Sequence, residues 1–287
     1  MVTAINPITF TRDVFSSYTE FLTDFISFKD KSLMDQFKRE IEFDLVSGSK
    51  IIKGPYVKLN RPFLSGKSLS ELSSDYSIPK IIYDKFPFPL YKHQQDAFEI
   101  LTEGHHLVVS TGTGSGKSES FFIPIINRLM NRKNEGSLNG LHAVLIYPMN
   151  ALVNDQLSRL RKILAGTGIT FGRFTGETVS GRMPDAIRVL DAGTQSLSEE
   201  DKRGMEEGTV IPSEELYTRD QMRKSAPNIL ITNYSQLEYM LLRSEDIAMF
   251  DGCPLEFVVM DEMHTYAGEQ GSEVAALLRR LRCLCAN

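Results

Sequence analysis

108-VVSTGTGSGKSESFF-122 sets glycines at alternate positions of a short loop and follows them with a lysine and a hydroxyl residue. Apolar residues flank it on both sides. A strand that ends in such a loop and opens into a helix offers backbone N–H groups and a helix N-terminus to anionic oxygens. The general phosphate-loop pattern is G-x-x-x-x-G-K-[ST]. Gly116-Lys117-Ser118 matches its end, and Thr111 stands where the leading glycine would be. Lys117 is expected to reach the terminal phosphates, and Ser118 to place its hydroxyl on Mg2+. Thr111, Gly112, Thr113, Gly114, Ser115 and Gly116 form the cradle.

The surroundings supply the scaffold such a loop needs. From Leu90 onward, near-continuous apolar runs alternate with helical patterns: LVVS (107–110), HAVLIY (142–147), NILIT (228–232) and EFVVM (256–260). Strands of this kind indicate a parallel sheet sandwiched by helices, an α/β fold. Pro124 is expected to kink the helix that follows the loop. At the end of EFVVM stands Asp261-Glu262-Met263-His264. In a parallel sheet the C-terminal strand ends share one edge, where ligands bind. Asp261 is therefore expected to complete the Mg2+ shell beside Ser118, and Glu262 to polarise an attacking water.

Composition narrows the classes. The 287 residues are 41% hydrophobic and 24% charged, ordinary for a globular protein. No apolar run reaches the roughly 18 residues of a membrane span, and the N-terminus lacks a secretory signal, so the cytoplasm is expected. Cys253, Cys283 and Cys285 give neither a disulfide framework nor a zinc ligand set. A net charge of −5 confines any nucleic-acid contact to local groups.

Residues 1–46 carry helical apolar spacing in two segments, broken at Lys29-Asp30-Lys31. Residues 47–89, punctuated by glycine and proline, are expected to form an extended arm packed on the core domain of residues 90–287. Within that domain, residues 180–227 are polar, with the charge cluster 199-EEDKRGMEE-207. They are expected to be a solvated surface insertion, or an element that gates substrate or separates strands.

With TGTGSGKS and DEMH both present, the chain resembles the first RecA-like domain of superfamily 2 helicases of the DExH subgroup. That superfamily often begins its phosphate loop with a small non-glycine residue, as Thr111 does here. The resemblance implies that in LYKHQQDAFEIL (90–101) Gln94 reads the adenine edge, while Tyr91 or the neighbouring Phe88 packs on the base. YPMNALVNDQLSRL (147–160) resembles the motif that touches the nucleic-acid backbone, with Pro148 and Asn150 as contacts. The family usually has Lys or Arg at the place of Asn150. FTGET (174–178) contributes Thr175 and Gly176, and ITNYSQLEYMLLR (231–243) contributes Thr232 and Asn233. His264 would couple the nucleotide site to a partner domain. MDEMHTYAGEQGSEVAALLRRLR (260–282) is similar to the large bacterial helicases of the MrfA-like DNA-repair group, which includes members of phage-defence systems.

The resemblance implies ATP and Mg2+ as cofactors and nucleic acid as partner, DNA before RNA. Defence- or repair-system proteins are possible further partners. It also implies a second RecA-like domain carrying an arginine finger, and C-terminal domains, outside this chain. The fragment alone is then expected to bind ATP modestly and hydrolyse it slowly. A nucleotide-dependent switch that remodels a protein assembly is the competing function. A small-molecule kinase would explain neither DEMH nor the ordered strand-end motifs.

Overall fold

The structure, a computed structural model, describes residues 6–26, 28–41, 62–112, 114–191 and 197–285. Thr113, and residues 42–61 of the expected N-terminal segment and arm, lie outside the described residues. The chain divides into two compact units, Met1–Pro62 and Phe63–Asn287.

The first unit holds α1 (Pro7–Phe25) and α2 (Lys31–Ile41). Asn6 starts α1 by accepting the Ile8 N–H on its side chain, with Pro7 in the first turn where no amide hydrogen is needed. Asp30 does the same for α2, accepting from the Ser32 and Leu33 amides. The break expected at Lys29–Lys31 is thus a helix cap.

The second unit begins with α3 (Leu69–Leu72) and α4 (Lys80–Lys85). Residues 62–89 are therefore partly helical where an extended arm was expected. Leu69, Leu72, Ile82 and Phe86 are buried in the same apolar cluster as the central sheet. Short apolar pieces between prolines fold as single turns because they can bury their side chains against a larger body. Next come α5 (Lys92–Thr102), α6 (Glu119–Asn134), β1 (Ala143–Tyr147), α7 (Asn150–Leu164) and β2 (Phe171–Phe174). After β3 (Arg188–Leu190), α8 (Glu199–Glu207), β4 (Val210–Pro212) and α9 (Arg219–Lys224) come β5 (Ile229–Asn233), α10 (Tyr234–Leu242) and α11 (Ser244–Ile247). The chain then forms β6 (Phe257–Met260), a 3-10 turn (Met263–Thr265) and α12 (Gly268–Cys285). Among the described residues no helix is long and apolar enough to cross a membrane.

The central sheet has the order β2-β5-β1-β6, and all its pairings are parallel. Alternate residues of one strand point to opposite faces. Ala143, Leu145 and Tyr147 join Ile229 and Ile231 in one cluster with residues of α3 to α7. Val144, Ile146 and Leu230 join the other, with Leu237 and Met240 of α10 and Leu277 and Leu281 of α12. Both faces of β1 and β5 are covered, which is why these two middle strands read as apolar runs.

Two expectations are corrected. LVVS (107–110) is not a strand: it makes no ladder pairing, and Val108 is 77% exposed. A four-residue apolar run needs a neighbouring backbone to become a strand. Here a cavity of about 650 Å³, lined by 101–107, Val109, α6 and β6, lies between it and the sheet. Nor is the 180–227 segment simply solvated. β3 and β4 pair in parallel, and Met205, Val210, Ile211 and Met222 are buried. Arg161 of α7 reaches in and meets the Glu215 carboxylate with two hydrogen bonds, at 2.6 and 2.9 Å, both side chains nearly fully buried. Its remaining nitrogen donates to the Met205 carbonyl at 3.1 Å. A polar sequence can pack when its few apolar residues and one desolvated ion pair converge on a single helix.

At the N-terminal end of the sheet, Glu256 accepts from Arg128 at 2.6 Å and Arg132 at 3.1 Å, and pairs with His142 Nδ1 at 3.1 Å. Burial raises the Glu256 pKa, but the hydrogen bonds from His142, Arg128 and Arg132 outweigh it and hold the carboxyl at about 2. A depressed folded-state pKa contributes stability that is complete above the unfolded value of 4.5 and fades as pH falls toward 2. Glu256→Gln should therefore lower stability by about 3 kcal/mol at neutral pH. In urea melts that deficit should shrink progressively below pH 5. A deficit constant from pH 7 to pH 3 would contradict this.

Candidate active site

Because all four strands of the sheet run in parallel, Tyr147, Phe174, Asn233 and Met260 end on one edge. The loops that follow carry most of the candidate residues.

The phosphate loop leaves α5 and enters α6. Gly114 and Gly116 take positive φ, +74° and +70°, and at Gly116 a Cβ would also strike the Gln94 amide nitrogen. Both constraints demand glycine there. The loop is held from inside: the Thr111 and Ser115 hydroxyls share a hydrogen bond of 2.6 Å, and Lys117 Nζ donates to the Thr111 carbonyl at 3.2 Å. Ser118 stands at the N-cap position of α6, its side chain making no capping hydrogen bond. Arg159 of α7 is bonded to Glu119 and lies over the Phe122 ring at 5.6 Å.

α5 grips the same loop. Gln94 donates to the Gly116 carbonyl at 2.9 Å, and its oxygen accepts the Tyr91 N–H at 2.9 Å. Both ends of the Gln94 amide are thus engaged within the protein, and its side chain ties the loop to α5. His93 Nε2 meets the Ser115 carbonyl at 3.0 Å. Tyr91 stacks on His93 at 5.8 Å, and Phe63 lies 5.2 Å from Tyr91. Phe63 arrives through the Ser65–Tyr91 bridge, a tertiary pairing that the sequence does not signal.

At the end of β6, the Asp261 N–H extends the ladder to the Ile146 carbonyl at 3.1 Å. The Asp261 carboxylate accepts the Glu262 N–H at 2.9 Å. Asp261 and Lys117 line the same cavity, so the structure brings loop lysine and strand-end acid together; Ser118 is not part of its wall. Glu262 is left-handed at φ +49°, alone among the described non-glycine residues. Such a conformation costs of order 1 kcal/mol and persists where the surroundings impose it. Its carbonyl accepts from the Thr265 N–H and hydroxyl at 2.9 and 2.8 Å, and its carboxylate meets His264 Nδ1 at 3.2 Å. Two tyrosines feel Asp261. Burial first, then that charge, raises the Tyr147 phenol well above its ordinary value. Tyr266 is pushed up to about 12 by burial, then by Tyr234 and Asp261.

Farther along the edge, Asn233 Nδ2 donates to Asn150 Oδ1 at 2.8 Å while Asn233 Oδ1 caps α10 through the Gln236 N–H. Asn150 and Asn154 both donate to Glu177, at 3.2 and 3.4 Å, and Arg173 donates to Asn154 at 2.6 Å. Pro148 is half-buried and Gly176 exposed beside this cluster. Thr175 and Thr232 are fully buried; the Thr232 hydroxyl donates to the Phe174 carbonyl at 2.7 Å. The Thr232 hydroxyl thus ties β5 to β2, while the Thr175 hydroxyl accepts the Glu177 N–H at 3.3 Å within its own turn. Arg219 of α9 donates to the Thr175 carbonyl at 2.9 Å and lies over Phe174. The sequence placed no cation on this face; Arg173 and Arg219 supply two, one from an edge strand and one from the inserted segment.

Residues 91–287 match the DEAD/DEAH box helicase family, and the chain belongs to it. It is 30% identical to Druantia protein DruE of Escherichia coli (strain UMEA 4076-1), over 83% of this chain and 18% of DruE. It is 29% identical to ATP-dependent helicase hrq1 of Schizosaccharomyces pombe (strain 972), over 80% of this chain and 17% of hrq1. The crystal structure of the DUF1998 helicase MrfA bound to DNA and AMPPNP superposes with a TM-score of 0.55 at 25% identity, over 79% of this chain and 26% of MrfA. The chain thus spans less than one fifth of the length of DruE and of hrq1.

Proposed function

We propose that this chain is the nucleotide-binding half of an ATP-dependent helicase or translocase that acts on DNA. The observation that carries this proposal is that one sheet edge holds both the Lys117–Asp261 cavity and the Asn150–Asn233–Arg173 surface. Lys117 and the loop amides would hold the phosphates, while Phe63, Tyr91 and His93 offer an aromatic surface on which adenine packs. Ser118 and Asp261 would hold Mg2+, which when bound neutralises phosphate charge. Glu262 takes the proton of the attacking water, and His264 orients its carboxylate. A second RecA-like domain supplied by the rest of the protein completes the site, in the setting of a phage-defence or DNA-repair system. The relatives support this: hrq1 is an ATP-dependent helicase, and MrfA was captured with DNA and a nucleotide analogue.

Glu177 sets the strength of the DNA contact. Its carboxylate occupies donors of Asn150 and Asn154 and lies 3.4 Å from Arg173, so it competes with a backbone phosphate for the same groups. Anisotropy titrations of a fluorescent single-stranded oligonucleotide at several salt concentrations test this. Binding should weaken with salt, since each phosphate contact contributes about −0.7 to the logarithmic slope. Glu177→Gln should tighten binding roughly three- to tenfold at low salt, and Arg173→Ala should make the slope shallower by about 0.7. Binding that ignores salt and both substitutions would remove this surface from the DNA path and return the switch reading.

A further inference from the structure

Two of the three cysteines stand in contact with each other. Cys253 precedes β6, and Cys285 ends α12; their sulfurs stand 3.0 Å apart, 32 residues apart in sequence. Cys253 is nearly buried among Phe250, Leu277 and Leu281, and Cys285 packs against the same cluster while remaining partly exposed. The Gly252 N–H donates to the Leu284 carbonyl at 3.3 Å, so the backbones on either side of the two thiols are themselves joined. Cys283 is exposed, two residues from Cys285 and on the other side of the helix.

We propose that Cys253 and Cys285 form an oxidative modification site that takes hydrogen peroxide and closes to an intrachain disulfide. The Cys253 thiolate attacks one peroxide oxygen, breaking the O–O bond to give a sulfenic acid and hydroxide. The Cys285 sulfur then attacks the Cys253 sulfur and water leaves. Two thiols and one peroxide become one disulfide and two waters, the thiol hydrogens ending in the water. The hydrogen bond between the two sulfurs lowers the Cys253 thiol below its ordinary value and, together with burial, raises that of Cys285, which favours Cys253 as the attacking sulfur. The sulfurs must approach by about 1 Å to reach bonding distance. The bond closes a ring that contains β6, Asp261, Glu262 and α12, and it tethers the end of α12 to the loop that feeds β6.

The purified chain treated with hydrogen peroxide, then alkylated and digested, should yield one linked peptide pair joining Cys253 to Cys285, with Cys283 still alkylated. Oxidised protein should melt roughly 5 °C above reduced protein, and dithiothreitol should reverse the shift. Cys285→Ser should abolish both link and shift, Cys283→Ser should preserve both, and Cys253→Ala serves in place of Cys285→Ser if that variant folds poorly. A sulfinic acid at Cys253 or a link between two chains overturns the pair. A linked peptide without the rise in melting temperature overturns the tether.

Discussion

Glu262→Gln should bind ATP as tightly as the unsubstituted protein and hydrolyse it about a hundred- to ten-thousand-fold more slowly, the range a positioned general base contributes. The amide keeps the size and the left-handed backbone of Glu262 but cannot accept a proton from water. Lys117→Ala should differ in kind, losing nucleotide affinity along with turnover, because its ammonium lies at the cavity it shares with Asp261. The measurement pairs nucleic-acid-stimulated turnover with binding of a fluorescent nucleotide, in a polypeptide long enough to contain the second RecA-like half. Undiminished turnover in Glu262→Gln would exclude it as the base. Loss of binding equal to that of Lys117→Ala would make it a nucleotide ligand instead.

Arg161→Ala should be the most damaging substitution outside the site. It strands the Glu215 carboxylate in the interior, and breaking one side of a buried pair costs about 3–5 kcal/mol. For a unit of this size that lowers the melting temperature by roughly 6–20 °C. The damage should be local first: amides of α8, β4 and α9 should lose hydrogen-exchange protection before those of β1 and β5. Replacing Arg161 and Glu215 together by methionine should recover much of the loss, since no charge is then left unpaired. An Arg161→Ala variant that melts within a degree or two of the parent would contradict this account of how the inserted segment is held.

The sequence displayed the sheet where burial is complete. Ala143–Tyr147 and Ile229–Ile231 are apolar on both faces, so composition alone marks them. Phe171–Phe174 escaped because Gly172 and Arg173 interrupt it; an edge strand with a polar neighbour has no continuous apolar signature. LVVS misled for the opposite reason, since its residues suit a strand but the pairing partner is a tertiary matter. Lys117 and Asp261 meet at one cavity because a motif encodes local geometry and a parallel sheet aligns strand ends. Phe63, His93, Arg173 and Arg219 belong to the same surfaces but reach them through contacts between distant segments, which no spacing records. Thr175 and Thr232 show the converse: both stand at strand ends on that edge, yet their side chains are buried, Thr232 bonding to Phe174 and Thr175 to the Glu177 N–H.

The strand order sets a mechanical limit on how the two ends of the site communicate. From β6, which carries Asp261 and Glu262, to β2, which leads to Thr175 and Gly176, there are three strand spacings, about 14 Å. β1 and β5 fill that interval, buried on both faces and hydrogen-bonded throughout, so the sheet behaves as a stiff bar and cannot shorten. Any movement passed from the Asp261–Glu262 end of the edge to the Thr175–Gly176 end must therefore travel across the top, through the loops. Among the described residues, the Asn150–Asn233 bond, which links the first residue of α7 just beyond β1 to the end of β5, joins the two middle strands there by side chains alone.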